Sequence, residues 1–132
     1  MKKLFFSLVV VAAFSQASNA QTKALQVAKI ATPTVQCDMC KGRIEQYLKR
    51  IDGVMFVNVA VKKKETNVKF LTDRTDIETI KTAIANAGYD VAKTTGDPTK
   101  PLETEIAANA ESYNLLPKCC KKPAEGGASS KH

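Results

Sequence analysis

The sequence predicts an α+β fold, an antiparallel sheet with both helices on one face, and three observations predict it. Two runs rich in β-branched residues, Val54 to Val61 and Thr66 to Leu71, are separated by a polar turn. Two segments with apolar residues at helical spacing lie before and after that pair. Short apolar stretches, one near Leu25 and one at Tyr89 to Ala92, flank the whole arrangement.

The first twenty residues stand apart from this pattern. Lys2 and Lys3 precede the apolar run Leu4 to Phe14, and Ser18-Asn19-Ala20 then offers small residues to a signal peptidase. Residues 1–20 are therefore expected to be a cleaved signal peptide. The apolar run is too short to span a bilayer comfortably, no later stretch is apolar enough, and Gln21 is not a lipid-accepting cysteine. A periplasmic or secreted protein with no membrane insertion after cleavage is the expectation.

The first strand is placed over Leu25, Val27 and Ile30, with Pro33 marking its end. From Cys40, Ile44, Leu48 and Ile51 form one apolar helical face, and Asp52-Gly53 stops the helix with Gly53 as a left-handed cap. Val57, Val59 and Val61 then share one strand face, Lys62 to Glu65 turn, and Val68 and Phe70 repeat the alternation, which makes a hairpin. Thr75-Asp76-Ile77-Glu78 fits a capping box, with Thr75 as N-cap and Glu78 reaching back. Ile77, Ile80, Ile84 and Ala87 form the second buried stripe, and Gly88 ends it.

The order strand, helix, strand, strand, helix, strand is that of a ferredoxin-like β-α-β-β-α-β sandwich, placed over residues 25–93. Residues 94–132 are expected to hold a linker, a short helix over 102–114 with Leu102, Ile106, Ala110 and Tyr113 on one stripe, and a flexible tail carrying Cys119 and Cys120. His132, the only histidine, falls in that tail and reads as a bystander.

Charge narrows the function classes. The formal charge of +7 falls to +5 when Lys2 and Lys3 leave with the signal, and the few aromatic residues are not interleaved with basic ones. A nucleic-acid platform is not supported. The basic residues around Lys41, Arg43 and Lys49 read first as a solvated face, and second as a surface that steers an acidic partner.

The chemistry lies in Cys37-Asp38-Met39-Cys40. Cys37 closes a loop and Cys40 enters the first helical turn, where free backbone N–H groups favour negative charge, so both thiols are expected to ionise readily. By itself the C-x-x-C spacing serves a redox centre, half of a zinc site, a plain disulfide or a two-sulfur clasp for a soft ion. The chain has no tryptophan and too small a scaffold for a thioredoxin-like centre, and zinc would need two more sulfurs, from Cys119 and Cys120 or from a second molecule.

Cys37-Asp38-Met39-Cys40, followed by Ile44, Leu48, Gly53-Val54, Val57, Val59 and Ala87-Gly88-Tyr89-Asp90, resembles the heavy-metal-associated domain family. That family includes copper chaperones, domains of heavy-metal P-type ATPases and periplasmic mercury-binding proteins. The resemblance implies a non-enzymatic carrier that holds a soft ion on Cys37 and Cys40 and passes it by thiolate exchange. Cu(I) leads, with Hg(II), Ag(I) and Zn(II) also compatible with sulfur ligands. Implied partners are a metal-transporting ATPase or another metal-binding domain, with the protein a monomer or a metal-bridged dimer. A thiol-disulfide oxidoreductase using the same two cysteines is the alternative.

Before Cys37 the family usually carries Gly-Met and a small polar residue, whereas this chain has Thr34-Val35-Gln36, so Val35 stands where a methionine braces the loop. Tyr89 matches an aromatic residue that limits solvent access to the metal in bacterial members, and it also closes the core. Met39 is read either as an extra soft ligand or as an outward-facing residue. Leu116-Pro117-Lys118-Cys119-Cys120-Lys121 resembles endings found on some exported members. Cys119 and Cys120 are read either as participants in metal capture or redox protection, or as an independent disulfide or free thiols.

Overall fold

The computed structural model describes residues 24–93 and 103–122. The expected signal peptide, the linker over 94–101 and the tail beyond residue 122 lie outside the described residues. Strand β1 (Leu25–Ala31) leads to helix α1 (Asp38–Leu48), the hairpin strands β2 (Val54–Ala60) and β3 (Glu65–Leu71), helix α2 (Ile77–Asn86) and strand β4 (Val91–Ala92). Strand β5 (Thr104–Ile106), helix α3 (Ala110–Asn114) and a 3₁₀ turn at Lys118–Cys120 follow. The sheet is antiparallel in the order β2-β3-β1-β4-β5.

Alternation decides which side of the sheet carries the core. Ile30, Val57, Val59, Val68 and Phe70 turn inward, where Ile44, Leu48, Ile80 and Ile84 meet them from the helices. Val27 and Phe56 lie on the open side and remain exposed. No helix among the described residues is long and apolar enough to cross a membrane.

The predicted elements shift in four places, the first three for local reasons. Val61, expected in the strand, enters a 3₁₀ turn (Val61–Lys63) closed by Lys64 in the left-handed region. Helix α1 ends at Leu48 with Lys49 as its right-handed cap. Gly53, at φ +92°, instead turns the chain into β2, where a Cβ would lie 2.7 Å from the Arg74 side chain. The N-cap of α2 is Asp76 and not Thr75: the Asp76 carboxylate accepts from Thr79 N at 2.8 Å and from the Thr79 hydroxyl at 3.0 Å, while Glu78 pairs with Lys81 at 3.0 Å. The Thr75 hydroxyl is buried without a partner among the described residues.

The fourth shift concerns the C-terminal region, where the single helix expected over 102–114 does not form. Thr104 and Ile106 pair with Ala92 and Val91 and cover an edge that the short β4 would otherwise expose. Asn109 then acts as N-cap, accepting from Ser112 N at 3.1 Å, so α3 starts only at Ala110. The segment expected to be a flexible Cys-Cys tail is packed through Lys122: Leu116 and Cys120 join the core cluster, and Asn109 N donates to Ala85 O at 2.8 Å.

Gly88 makes that packing possible. Its φ of +102° is a conformation side chains rarely adopt, and a Cβ there would lie 3.2 Å from the Ser112 and Tyr113 backbone. Gly88→Ala is expected to destabilise the protein by about 1–3 kcal/mol, read as a lowered urea midpoint with an unchanged slope. An unchanged midpoint would mean that α3 does not pack against this turn.

Candidate metal centre

The first loop is held from several sides before it reaches Cys37. Val35 is fully buried, its amide donates to Thr32 O at 3.2 Å, and the Lys64 ammonium donates to its carbonyl oxygen. Val35 therefore packs into the core at the position discussed above. Gln36 Nε2 donates to Lys121 O at 2.6 Å, which ties this loop to the C-terminal segment.

Cys37 is the extended N-cap of α1, and Cys40 sits one turn in, fully buried on the face shared with Ile44 and Leu48. Their sulfurs lie 3.3 Å apart, and all four cysteines are free thiols. The 3₁₀ turn brings the other pair to the same place. Cys37 Sγ lies 3.1 Å from Cys119 Sγ and 3.6 Å from Cys120 Sγ, and the Cys119 and Cys120 sulfurs are 3.8 Å apart. The sulfurs of Cys37, Cys40 and Cys120 all lie within 4.8 Å of one another.

Met39 points away, 61% exposed, yet its thioether accepts from the Cys119 thiol at 3.7 Å. It borders the cluster on the solvent side. Tyr89 closes the opposite side: it is fully buried, and its hydroxyl, with no nitrogen or oxygen partner among the described residues, faces the Cys120 and Cys40 sulfurs. Burial above all, then the neighbouring Cys120 and Cys40 sulfurs, push the phenol above its ordinary range.

The cluster divides its protons unevenly. Burial opposes ionisation of Cys37, but the Cys119 thiol, the Cys40 backbone amide and the Cys40 and Cys120 thiols outweigh it and lower Cys37 to about 7. Cys119 is pushed up, first by Cys37 and then by burial. Cys120 is driven well above the ordinary thiol range by burial and then by Cys40. The expectation that the helix start alone activates the thiols thus omitted the Cys119 thiol, the strongest of the influences that lower Cys37.

A hollow of about 550 Å³ opens beside Cys37, lined in part by Asp38, Lys41, Val59, Lys62 and Lys63. Lys41 is shared with Glu45 at 4.0 Å, and Arg43 donates to Ala87 O at 2.9 Å while lying over the Tyr47 ring. Arg43 thus braces α1 against the end of α2. Asp90, quoted in the sequence only as part of a motif, links domain and extension: its carboxylate accepts from Ala108 N at 2.8 Å and pairs with Lys122 at 3.0 Å. Neither this link nor that of Gln36 had a local sequence signal, because both partners lie far along the chain.

Residues 30–90 match the heavy-metal-associated domain. The chain is 33% identical over 89 residues to the mercuric transport protein periplasmic component of Shigella flexneri, covering 67% of this chain and 93% of that protein. It belongs to the heavy-metal-associated domain family. The COP-associated protein of Helicobacter pylori is 36% identical over 64 residues, covering 48% of this chain and 96% of that protein. The copper chaperone CopZ of Staphylococcus saprophyticus is 36% identical over 67 residues, covering 47% of this chain and 98% of that one. The solved structure of oxidized MerP from Ralstonia metallidurans superposes with a TM-score of 0.51 at 24% identity, over 55% of this chain and 100% of that one, and shares the fold. Cys37 and Cys40 lie within the residues that match the family domain, and Cys119 and Cys120 lie beyond them.

In reduced, metal-free protein the fastest thiol alkylation by iodoacetamide is expected to titrate with a midpoint at about pH 7. The thiolate is the nucleophile, so the rate falls as pH drops through that value. Cys37→Ser should remove this phase; a first phase unchanged in Cys37→Ser would contradict the assignment.

Proposed function

We propose that the protein carries a soft metal ion, Cu(I) foremost, on the thiolates of Cys37 and Cys40, and hands it to a metal-transporting ATPase or another metal-binding domain in the cell envelope. It is a carrier and not an enzyme. The observation that carries this reading is the pairing of one partly exposed thiol, lowered to about 7, with a buried one 3.3 Å away. The first sulfur ionises easily and meets the incoming ion, and the second holds it where water is excluded.

Soft thiolates suit Cu(I), and a low coordination number leaves room for an incoming sulfur. Transfer is then a ligand exchange in which a partner thiolate bonds to the ion before Cys37 lets go, with no change of oxidation state. The Tyr89 hydroxyl fits this chemistry, because it faces the Cys40 sulfur and can donate to it as a metal-bound thiolate. Membership of the heavy-metal-associated domain family supports the reading, and the periplasmic relative and the N-terminal sequence pattern support export.

Native mass spectrometry of anaerobically reduced protein tests it. The full chain should retain Cu(I), and Cys37→Ser or Cys40→Ser should each weaken retention by on the order of a hundredfold, as loss of one arm of a chelate does. Disulfide reductase turnover by metal-free protein, without Cu(I) retention, would favour the oxidoreductase alternative.

A further inference from the structure

The cysteines outside the family domain stand against the cysteines inside it, and the chain spends many interactions on keeping them there. Asn109 N, Ala108 N, Lys121 O and Lys122 Nζ are each bonded to a residue of the domain, and Lys122 N donates to the Tyr113 hydroxyl at 2.8 Å, closing the segment on itself. Leu116 is buried beside them. At the end of this tether Cys120 is only 1% exposed, and its sulfur faces Cys37, Cys40 and Tyr89.

We propose that Cys120 is a third metal ligand, so that one soft ion is held by the sulfurs of Cys37, Cys40 and Cys120 in a cage that the C-terminal extension closes. This rests on the reading of Cys37 and Cys40 as metal ligands. With metal–sulfur bonds of about 2.3 Å, the sulfurs of a planar three-coordinate site stand about 4.0 Å apart. The separations from Cys37, 3.3 Å and 3.6 Å, fall a little short of that spacing and no pair of the three exceeds 4.8 Å, so small side-chain rotations complete the triangle. A linear two-sulfur site puts the metal directly between its sulfurs and so needs them farther apart than a planar three-coordinate one, which would require Cys37 and Cys40 to part further from their present 3.3 Å.

Cys119 stands outside the triangle, between Cys37 at 3.1 Å and the exposed Met39 at 3.7 Å. Because Cys120 already fills the position a partner's sulfur would take in exchange, transfer requires the extension to yield it. The extension therefore makes the carrier retentive, and its displacement by a docking partner becomes the step that releases the ion.

X-ray absorption at the copper edge decides the matter, using the full chain reduced with a phosphine, freed of other thiols and loaded with sub-stoichiometric Cu(I). The expected first shell holds three sulfurs in a species whose native mass is that of one chain. Cys120→Ser should reduce the shell to two sulfurs and speed loss of Cu(I) to excess dithiothreitol by on the order of a hundredfold. Cys119→Ser should keep three. A two-sulfur shell in the parent, a three-sulfur shell found only in dimers, or three sulfurs retained in Cys120→Ser would each overturn the proposal, and the parent's shell decides even if that variant misfolds. Failure of the parent to take up Cu(I), or full uptake by Cys37→Ser, would instead overturn the reading of Cys37 and Cys40 on which it rests.

Discussion

The burial of Cys40 in the first turn of α1 is the constraint on which the site depends. Its side chain occupies the same apolar face as Ile44 and Leu48, so the helix cannot rotate without exposing core. With Cys40 fixed, Cys37 has to stand just outside the helix as its extended N-cap, close to the first unpaired backbone amides. A buried thiol is ordinarily inert. Here its neighbour Cys37 is partly exposed and lowered to about 7, while Tyr89 and Cys120, packed beside it, are buried as well.

The same constraint explains the shape of the extension. A β-α-β-β-α-β unit with a two-residue β4 ends in an unprotected edge, and β5 covers it. Once β5 is paired, α3 and the 3₁₀ turn have only a short path back over the end of α2, where Gly88 lets their backbone approach. Burying Leu116 contributes about 1.5–3 kcal/mol, and the bonds to Asp90, Gln36 and Ala85 fix the direction of the chain. The residues that dock the segment thus also bring its sulfurs beside Cys37.

Much of this was legible in the residues. The hairpin showed itself because Val57, Val59, Val68 and Phe70 alternate on one half-buried face, and the helices because Ile44, Leu48, Ile80 and Ile84 recur at i and i+4. The Cys37 and Cys40 pair was legible for a similar reason: both cysteines come from one local turn. The cap of α2 was misplaced by one residue because Thr75 and Asp76 are both capable caps, and a carboxylate that accepts twice wins. The last region misled more deeply. Leu102, Ile106, Ala110 and Tyr113 fit a helical stripe, but the need to cover β4 drew Thr104 and Ile106 into the sheet, a tertiary demand that overrides local period. The meeting of Cys37 with Cys119, 82 positions apart, was open in the sequence only as one of two readings of the Cys119-Cys120 pair, because the docking that brings them together depends on contacts distant in the chain.

What distinguishes a metal clasp from a redox centre or a structural crosslink is whether the reduced sulfurs outcompete other strong ligands for a soft ion. Anaerobic titration of the reduced full chain with Cu(I) against a calibrated chromogenic chelator measures this directly. About one equivalent of Cu(I) per chain is expected to be withdrawn from the chelator before its colour develops. Colour that develops from the first addition, with no Cu(I) withdrawn, would contradict it.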